Sequence, residues 1–389
     1  MSRQLITHID EFNLIAKTNF HGLQNVIFED CDFDIDINLT NVIDVISFAN
    51  CTFRKNLTIK TTIEKEVFFD NCVFEKQMEI RSTIIKGKAR FISCVFNTTK
   101  FNLTTFKSTA DFSNSTFYKP TTFYKMSFID TVDFSAVNFK ENVLFTYTSI
   151  EKLMVLRGAY PEKGFDISLA IITGELSVFD FKFDDYNSYT KIYKDLDSEF
   201  KKHNNKISYQ RAYEVVYEDA VSNNHQIPIE NKRETYRILK NQLESQKNYI
   251  DSIPFRVMEN KTLLKESWKK LRNGVNLTRS FSNIIVLSLN AVSNWFGSSY
   301  IIGLLFTVSI AGFFFSLSLN HIGNYEFTAK ISDWEWRYFV QYLNPTHRFD
   351  YMKLVDENPR QWFFIWDFIG RIFVGYGIYQ TITAFRKYK

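Results

Sequence analysis

The chain has 389 residues, with 47 Lys and Arg against 43 Asp and Glu for a formal net charge of +4. That length leaves room for two or three domains, and the near-neutral balance excludes a dedicated nucleic-acid binder, whose surface carries a basic surplus. Aromatic residues make up 17% of the sequence, with 40 Phe, whereas Gly and Pro number only 13 and 6, which rules out a flexible or Pro-rich scaffold.

The opening segment MSRQLITHID has no apolar stretch, so no cleaved signal peptide is expected. From about residue 20 one motif recurs, Phe-x-x-Cys-x-Phe. It stands at Phe28–Cys31–Phe33, Phe48–Cys51–Phe53, Phe69–Cys72–Phe74 and Phe91–Cys94–Phe96, and continues as Phe112–Ser115–Phe117 and Phe134–Val137–Phe139. The leading Phe advances by 20, 21, 22, 21 and 22 residues, the period of a solenoid. A second apolar set lies between the motifs: Leu57, Ile59 and Ile63; Met78, Ile80 and Ile84; Leu103 and Phe106; Phe123 and Phe128. The expected fold is a β-solenoid, a right-handed quadrilateral β-helix. Each coil has four short faces, and coils stack at about 4.8 Å, so that six of them make a rod of about 29 Å. Equivalent residues then form ladders, with both Phe and the small Cys pointing inward.

These residues resemble the pentapeptide-repeat family, in which a central Phe or Leu follows a small Cys, Ala or Ser by two positions. Cys31-Asp32-Phe33, Cys72-Val73-Phe74 and Ser115-Thr116-Phe117 carry the likeness, over about residues 20–150. Some members of that family are DNA mimics acting on type II topoisomerases, which takes an acidic surface. Residues 20–150 hold 14 Lys and Arg against 15 Asp and Glu, so the resemblance implies the fold and not the mimicry. A metal or redox role for the Cys column is set aside as well. Parallel in-register thiols do not point at one another, and no His joins them.

From Glu151 the repeat fades through Leu156, Phe165, Leu169 and Ile171 to Phe179, and closing coils are expected to end a β-helical domain at 1–183. A helical domain at 184–280 follows. Tyr189, Ile192, Tyr193, Leu196 and Phe200 recur at three- and four-residue spacing, as do Tyr209, Ala212, Tyr213, Val216, Tyr217 and Ala220. After Pro228 a long helix starts near Glu230, with Tyr236, Leu239 and Leu243 on one face. It resembles the YR-x-LK helix found between pentapeptide repeats and membrane segments in bacterial proteins, and it is expected to pack on the β-helix or on a neighbouring subunit.

A membrane domain is expected at 281–389. Phe281 to Phe296, with Ile284, Leu287 and Val292 opposite Ser and Asn, reads as an interfacial helix. Residues 299–319 contain no charge and are long enough for one crossing, with Gly312 and Ser316 spaced for close helix contact. Residues 361–385 form the expected second crossing, with Trp362 and Trp366 at an interface and two charges, Asp367 and Arg371, spaced to pair on one face. Charges inside a membrane span are rare enough to make this pair a functional candidate, with a structural pair snorkelling near the outer interface preferred. Between the crossings, residues 320–360 form an external loop. It carries Trp334, Trp336, Tyr338, Phe339 and Tyr342, then Asn344, Pro345, Thr346 and His347. This segment is a candidate re-entrant pore stretch, with an ordinary outer cap preferred. Basic residues cluster before the first crossing (Lys261 to Arg279) and after the second (Arg386, Lys387, Lys389), whereas the loop holds five basic and six acidic residues. The positive-inside rule then places both termini in the cytoplasm of a multi-pass inner-membrane protein.

The layout resembles pentapeptide-repeat fusions to two-helix ion channels. Val374-Gly375-Tyr376-Gly377 matches part of a potassium-filter string, but only 12 residues follow it, too few for the inner helix a filter needs. The six His (His8, His21, His203, His225, His321, His347) are scattered, and no phosphate-binding loop, dinucleotide fingerprint or nucleophile elbow is present. No enzyme activity, cofactor or metal is expected. The expected partners are the lipid bilayer, further copies of the chain and a cytoplasmic protein. The expected function is an oligomeric pore-like or membrane-perturbing effector, as in bacterial signalling or phage defence, with a passive tethered scaffold as the alternative.

Overall fold

The computed structural model describes residues 4–8, 10–12, 17–18, 24–181, 184–202, 208–321, 336–348 and 361–386. His21, His203, Trp334 and most of the 320–360 loop lie outside them. The chain divides into two compact units, Met1–Lys247 and Asn248–Lys389.

The first unit is a β-solenoid of about seven turns. Its strands form one sheet of 13 and one of 14 strands. Among the described residues all the strand pairings are parallel except that of Lys17–Thr18 with Gln24–Asn25. Coils pair in register: Phe28 lies beside Phe48, Phe48 beside Phe69 and Phe69 beside Phe91. Because each residue sits one strand spacing from its equivalent, like side chains must stack. The leading Phe form a column, Phe28, Phe48, Phe69, Phe91, Phe112 and Phe134, with ring centroids 4.8–5.4 Å apart. The trailing Phe form a second, Phe33, Phe53, Phe74, Phe96, Phe117 and Phe139, at 4.6–5.0 Å. The Phe excess in the composition is therefore a packing device.

Two members of the second apolar set point outward. Ile84 is 40% and Leu103 53% exposed, and the inward residues of those coils are Ile85 and Phe101. Leu103 stands at a corner, and corners have their own rule. Each coil turns through a residue with positive φ. Asp30, Asn50, Asn71, Ser93, Asn114, Ala136 and Gly158 form one corner (φ 52–64°), and Ser82, Leu103, Lys125 and Tyr147 another (φ 49–53°). Asn, Asp and Gly tolerate this conformation, whereas Leu, Lys and Tyr do not favour it.

The residue after each corner is the small one, and it is a donor as well as a filler. The thiols of Cys51, Cys72 and Cys94 and the hydroxyl of Ser115 each point at the carbonyl of the leading Phe one coil back, at 3.8, 3.3, 3.0 and 2.6 Å. At the other corner, Thr83, Thr104 and Thr148 donate to Ile59, Ile80 and Phe123. Size alone does not restrict the position, since Val137 and Met126 occupy it, buried.

The solenoid starts earlier than the motif suggests. Gln4–Ile6 pairs with Cys31–Phe33, and Phe12 stacks on Phe28 at 4.9 Å. At the far end the last strand is Glu175–Ser177, followed by helices α1 (Ile192–Lys202) and α2 (Tyr209–Glu218), a π-helical turn at Asp219–Asn223 and helix α3 (Ile229–Ser245). Helix α3 lies against the solenoid. Thr235 Oγ1 accepts from the Ile167 amide at 3.2 Å and donates to Asp166 at 3.2 Å, Asn231 donates to Asp166 at 3.0 Å, and Gln246 to the Leu176 carbonyl at 3.1 Å. Tyr236, Leu239 and Leu243 are its buried face, as the spacing implies. Lys232, 4% exposed, donates to Asp185 and to the Tyr186 carbonyl, with its ammonium 4.6 Å from the Tyr186 ring centre. These polar groups satisfy strand-end groups that an open coil would leave bare.

The second unit is helical: α4 (Tyr249–Arg272), α5 (Leu277–Asn294), α6 (Tyr300–Leu319), α7 (Trp336–Tyr342) and α8 (Gln361–Phe385). Of these, only α6 is long and apolar enough by itself to cross a membrane.

Two substitutions test the corner rule. Leu103→Gly removes an L-residue from the left-handed region at a side chain that is more than half exposed, and is expected to stabilise the solenoid by up to about 1 kcal/mol. Ser115→Ala strips the acceptor of the Cys94 amide and the donor to Phe91 together, and is expected to lower stability by about 1–3 kcal/mol. Chemical denaturation followed by the β-sheet circular dichroism signal measures both.

Candidate functional site

Asp367 and Arg371 of the predicted membrane pair meet His347 of the predicted loop segment in one buried cluster of the helical unit, whereas Asn344 and Thr346 are exposed. Asp367 is 0% exposed on α8. Arg371, one turn on, donates from Nε to Asp367 Oδ2 at 2.8 Å, the pairing that the four-residue spacing implies. The other oxygen, Oδ1, is met by His347 Nε2 at 2.9 Å. This second contact was not legible in the sequence, where His347 and Asp367 stand 20 residues apart.

The turn after α7 presents the imidazole. Asn344 Oδ1 accepts from the amide and the hydroxyl of Thr346 at 3.1 and 2.7 Å, a side-chain-closed turn of the kind Asn favours. The Asn344 carbonyl then meets His347 Nδ1 at 2.7 Å. A carbonyl only accepts, so Nδ1 carries a hydrogen. Asp367 is thus met on one oxygen by an imidazole and on the other by a guanidinium. Trp336 does not take part; it is 51% exposed and stands edge-on to Phe339 at 5.7 Å. Helix α7 instead buries Tyr338, Phe339 and Tyr342 in an apolar cluster with Phe315, Leu319 and Phe363.

Helices α6 and α8 approach closely around the cluster. A methyl on Gly370 would overlap the Tyr342 hydroxyl and lie 2.7 Å from Phe314 Cβ, and one on Gly377 would lie 3.1 Å from Thr307 Cα. A methyl on Gly303 would likewise lie 3.1 Å from Thr381 Cα. The contact therefore runs through Gly303, Gly370 and Gly377, in the manner of small-residue helix pairs.

A second polar group ties α5 to α8. Asn290 Oδ1 accepts from the Tyr376 hydroxyl at 3.1 Å and from Gln380 Nε2 at 3.4 Å, and Asn294 donates to the Gln380 side chain. The sequence set Ile284, Leu287 and Val292 opposite Ser and Asn on α5. The structure divides them otherwise: Ile284 and Leu287 are buried together with Ser293 and Asn294, and Val292 is 64% exposed. The available signal was two pairs at four-residue spacing, Asn290 with Asn294 and Tyr376 with Gln380.

In the solenoid unit the Phe and Cys ladders form the core. All four Cys are free and buried. Burial, with Cys51 next, pushes the Cys31 thiol up to about 11, which disfavours the reactive thiolate. A cavity of about 310 Å³ on the flank is lined by Lys100, Asn102, Tyr124, Glu218 and His225. His225 Nδ1 lies 3.0 Å from Thr122 Oγ1, and burial lowers the imidazole's pKa. No group of three or more His, Cys, Asp or Glu among the described residues is placed to hold a metal ion.

Residues 80–127 match the family described as Pentapeptide repeats (9 copies). No curated protein and no solved structure matches the chain. The match lies wholly within the solenoid, across coils whose Phe columns, corners and donors are described above.

The charged cluster makes a mutational cycle informative. Asp367→Leu removes the carboxylate that meets Arg371 and His347 and is expected to lower stability by about 3 kcal/mol or more. Asp367→Leu with Arg371→Leu is expected to lower it less than the single change, because the buried cation leaves with the anion. Thermal unfolding of the three proteins under one set of conditions reads the difference.

Proposed function

We propose that this pentapeptide-repeat protein is a membrane-anchored effector whose α6 and α8 cross the bilayer as a pair. In this reading the solenoid serves on the cytoplasmic side as a recognition or assembly surface. The observation that carries it is the inverted packing of α8. A helix at an aqueous surface buries apolar side chains and exposes polar ones. Helix α8 buries Asp367, Gly370, Gly377 and Gln380, and exposes Trp362, Phe368, Ile372, Tyr379, Ile382 and Phe385, each by 49% or more. Hydrocarbon accommodates such a surface, whereas a carboxylate must face the bundle interior and find partners there. The charges that lower the hydropathy of α8 are the ones already bonded to each other. At 1.5 Å per residue its 25 residues reach about 37 Å, more than the hydrocarbon core of about 30 Å.

Two crossings return the flanks to the same face. Lys261 to Arg279 before α6 and Arg386 after α8 make that face the basic, cytoplasmic one. Helices α6 and α8 touch directly through their glycines, so one hairpin encloses no lumen. A pore-like or membrane-perturbing state then takes several copies around an axis, and α7 serves as an outer cap. One observation favours a second reading, a passive tether for a docking solenoid: Asp367 is bonded from two sides within a single chain and does not face outward to a lumen.

Carbonate extraction and a membrane-potential dye separate the readings. The chain is expected to stay in the membrane pellet at high pH, and its induced expression to depolarise the cells. Integral behaviour without depolarisation selects the tether. Depolarisation that survives Asp367→Ala with Arg371→Ala removes those residues from the mechanism.

A further inference from the structure

We propose that the exposed stripe of α4 formed by Lys261, Lys265, Trp268 and Arg272 is a docking face for anionic phospholipid headgroups. This rests on the reading of α6 and α8 as bilayer spans.

The stripe is set by spacing. Positions 261, 265, 268 and 272 recur every three or four residues and so share one helix face, and all four side chains are exposed. The far side of the helix is the buried one, with Thr262, Glu266 and Ser267 each 5% exposed or less. Charge along this stretch is one-sided. Residues 261–279 contain six basic residues and one acid, Glu266. Glu266 is 2% exposed and receives Lys270 Nζ at 2.5 Å, so the sole carboxylate of the stretch is turned inward and already engaged.

A cation–π contact sets the level of this stripe relative to the apolar helices. The Lys261 ammonium lies 4.9 Å from the ring centre of Trp295. Trp295 ends α5, and α6 begins at Tyr300. Indole rings at the ends of spans settle among the headgroups, which puts the Lys261 end of the stripe at that depth. Val257, Leu263 and Leu264 share an apolar cluster with Leu287, Ala291 and Phe296, which packs α4 against α5. Helix α5 exposes Phe281, Ile285, Val286, Leu289 and Val292, the apolar side of a helix lying in an interface. The remaining cations are thereby carried beside the membrane surface. The occupant follows from charge: ammonium and guanidinium groups complement a phosphodiester of net negative charge, and a neutral zwitterionic headgroup offers no such excess. Basic residues at this depth are each worth about fivefold in anionic-lipid preference.

The test uses the full-length chain in a neutral detergent, titrated with phosphatidylglycerol or with phosphatidylcholine, and counts bound lipids by native mass spectrometry. Phosphatidylglycerol is expected to bind at least tenfold more tightly, with the ratio shrinking as ionic strength rises. Lys261→Gln, Lys265→Gln and Arg272→Gln together are expected to bring the ratio close to one. Lys261→Arg with Lys265→Arg, which keeps charge, is expected to preserve it, so loss in the Gln protein is not attributable to misfolding. Equal affinity for the two lipids in a wild-type chain that needs detergent overturns this inference alone. A chain that stays soluble without detergent overturns the spanning reading beneath it.

Discussion

In the first unit everything depends on parallel strand pairing in register. Once a coil hydrogen-bonds to the one below it, each residue must accept its own equivalent as a neighbour at about 4.8 Å. Aromatic rings meet that demand well, because offset stacking is favourable at the centroid distances of 4.6–5.4 Å found in the two long Phe columns. Charged residues would meet it badly, and they are found on the outer faces, where Lys86 reaches Glu64 and Lys152 reaches Asp130 one coil apart. The same constraint produces the corners. A rectangular coil must change direction without losing its ladder, and a single left-handed residue does so. The next side chain then enters the interior close to a carbonyl of the previous coil, where Cys, Ser or Thr supplies a hydrogen.

The helical unit obeys the same accounting for buried polar groups in different surroundings. Asp367 has no access to water, and its two oxygens are met by His347 and Arg371. Asn290, Asn294, Tyr376 and Gln380 satisfy one another across α5 and α8. Glycines let the helices come near enough for these side chains to reach. The apolar residues left outside are numerous because polarity has been moved in, which is the sense in which α8 is inverted.

Much of the solenoid was legible from residues alone. A 21-residue period with a fixed Phe-x-x-Cys-x-Phe phase leaves few alternatives to stacked coils, and the inward Phe ladder follows from it. Where the phase was misread, the reason was local. Ile84 is apolar but sits one place from the inward Ile85, and Leu103 occupies a left-handed corner two places beyond the inward Phe101. In the helical unit the Asp367–Arg371 pair was legible because it lies within one helix. His347 was not, since no periodicity links a loop residue to a helix that follows a gap of unrelated sequence.

The sequence by itself determined the period, the identity of the stacked side chains and the four-residue pairing of Asp367 with Arg371. All of these are short-range, so spacing along the chain is the same as spacing in the molecule. Only the tertiary structure decided which face of α5 and α8 is turned inward, that α3 lies across the solenoid's end, and that His347 completes the Asp367 cluster. Those choices depend on contacts between segments far apart in sequence, where burial of a polar group is favourable only when a partner from another element is there to meet it.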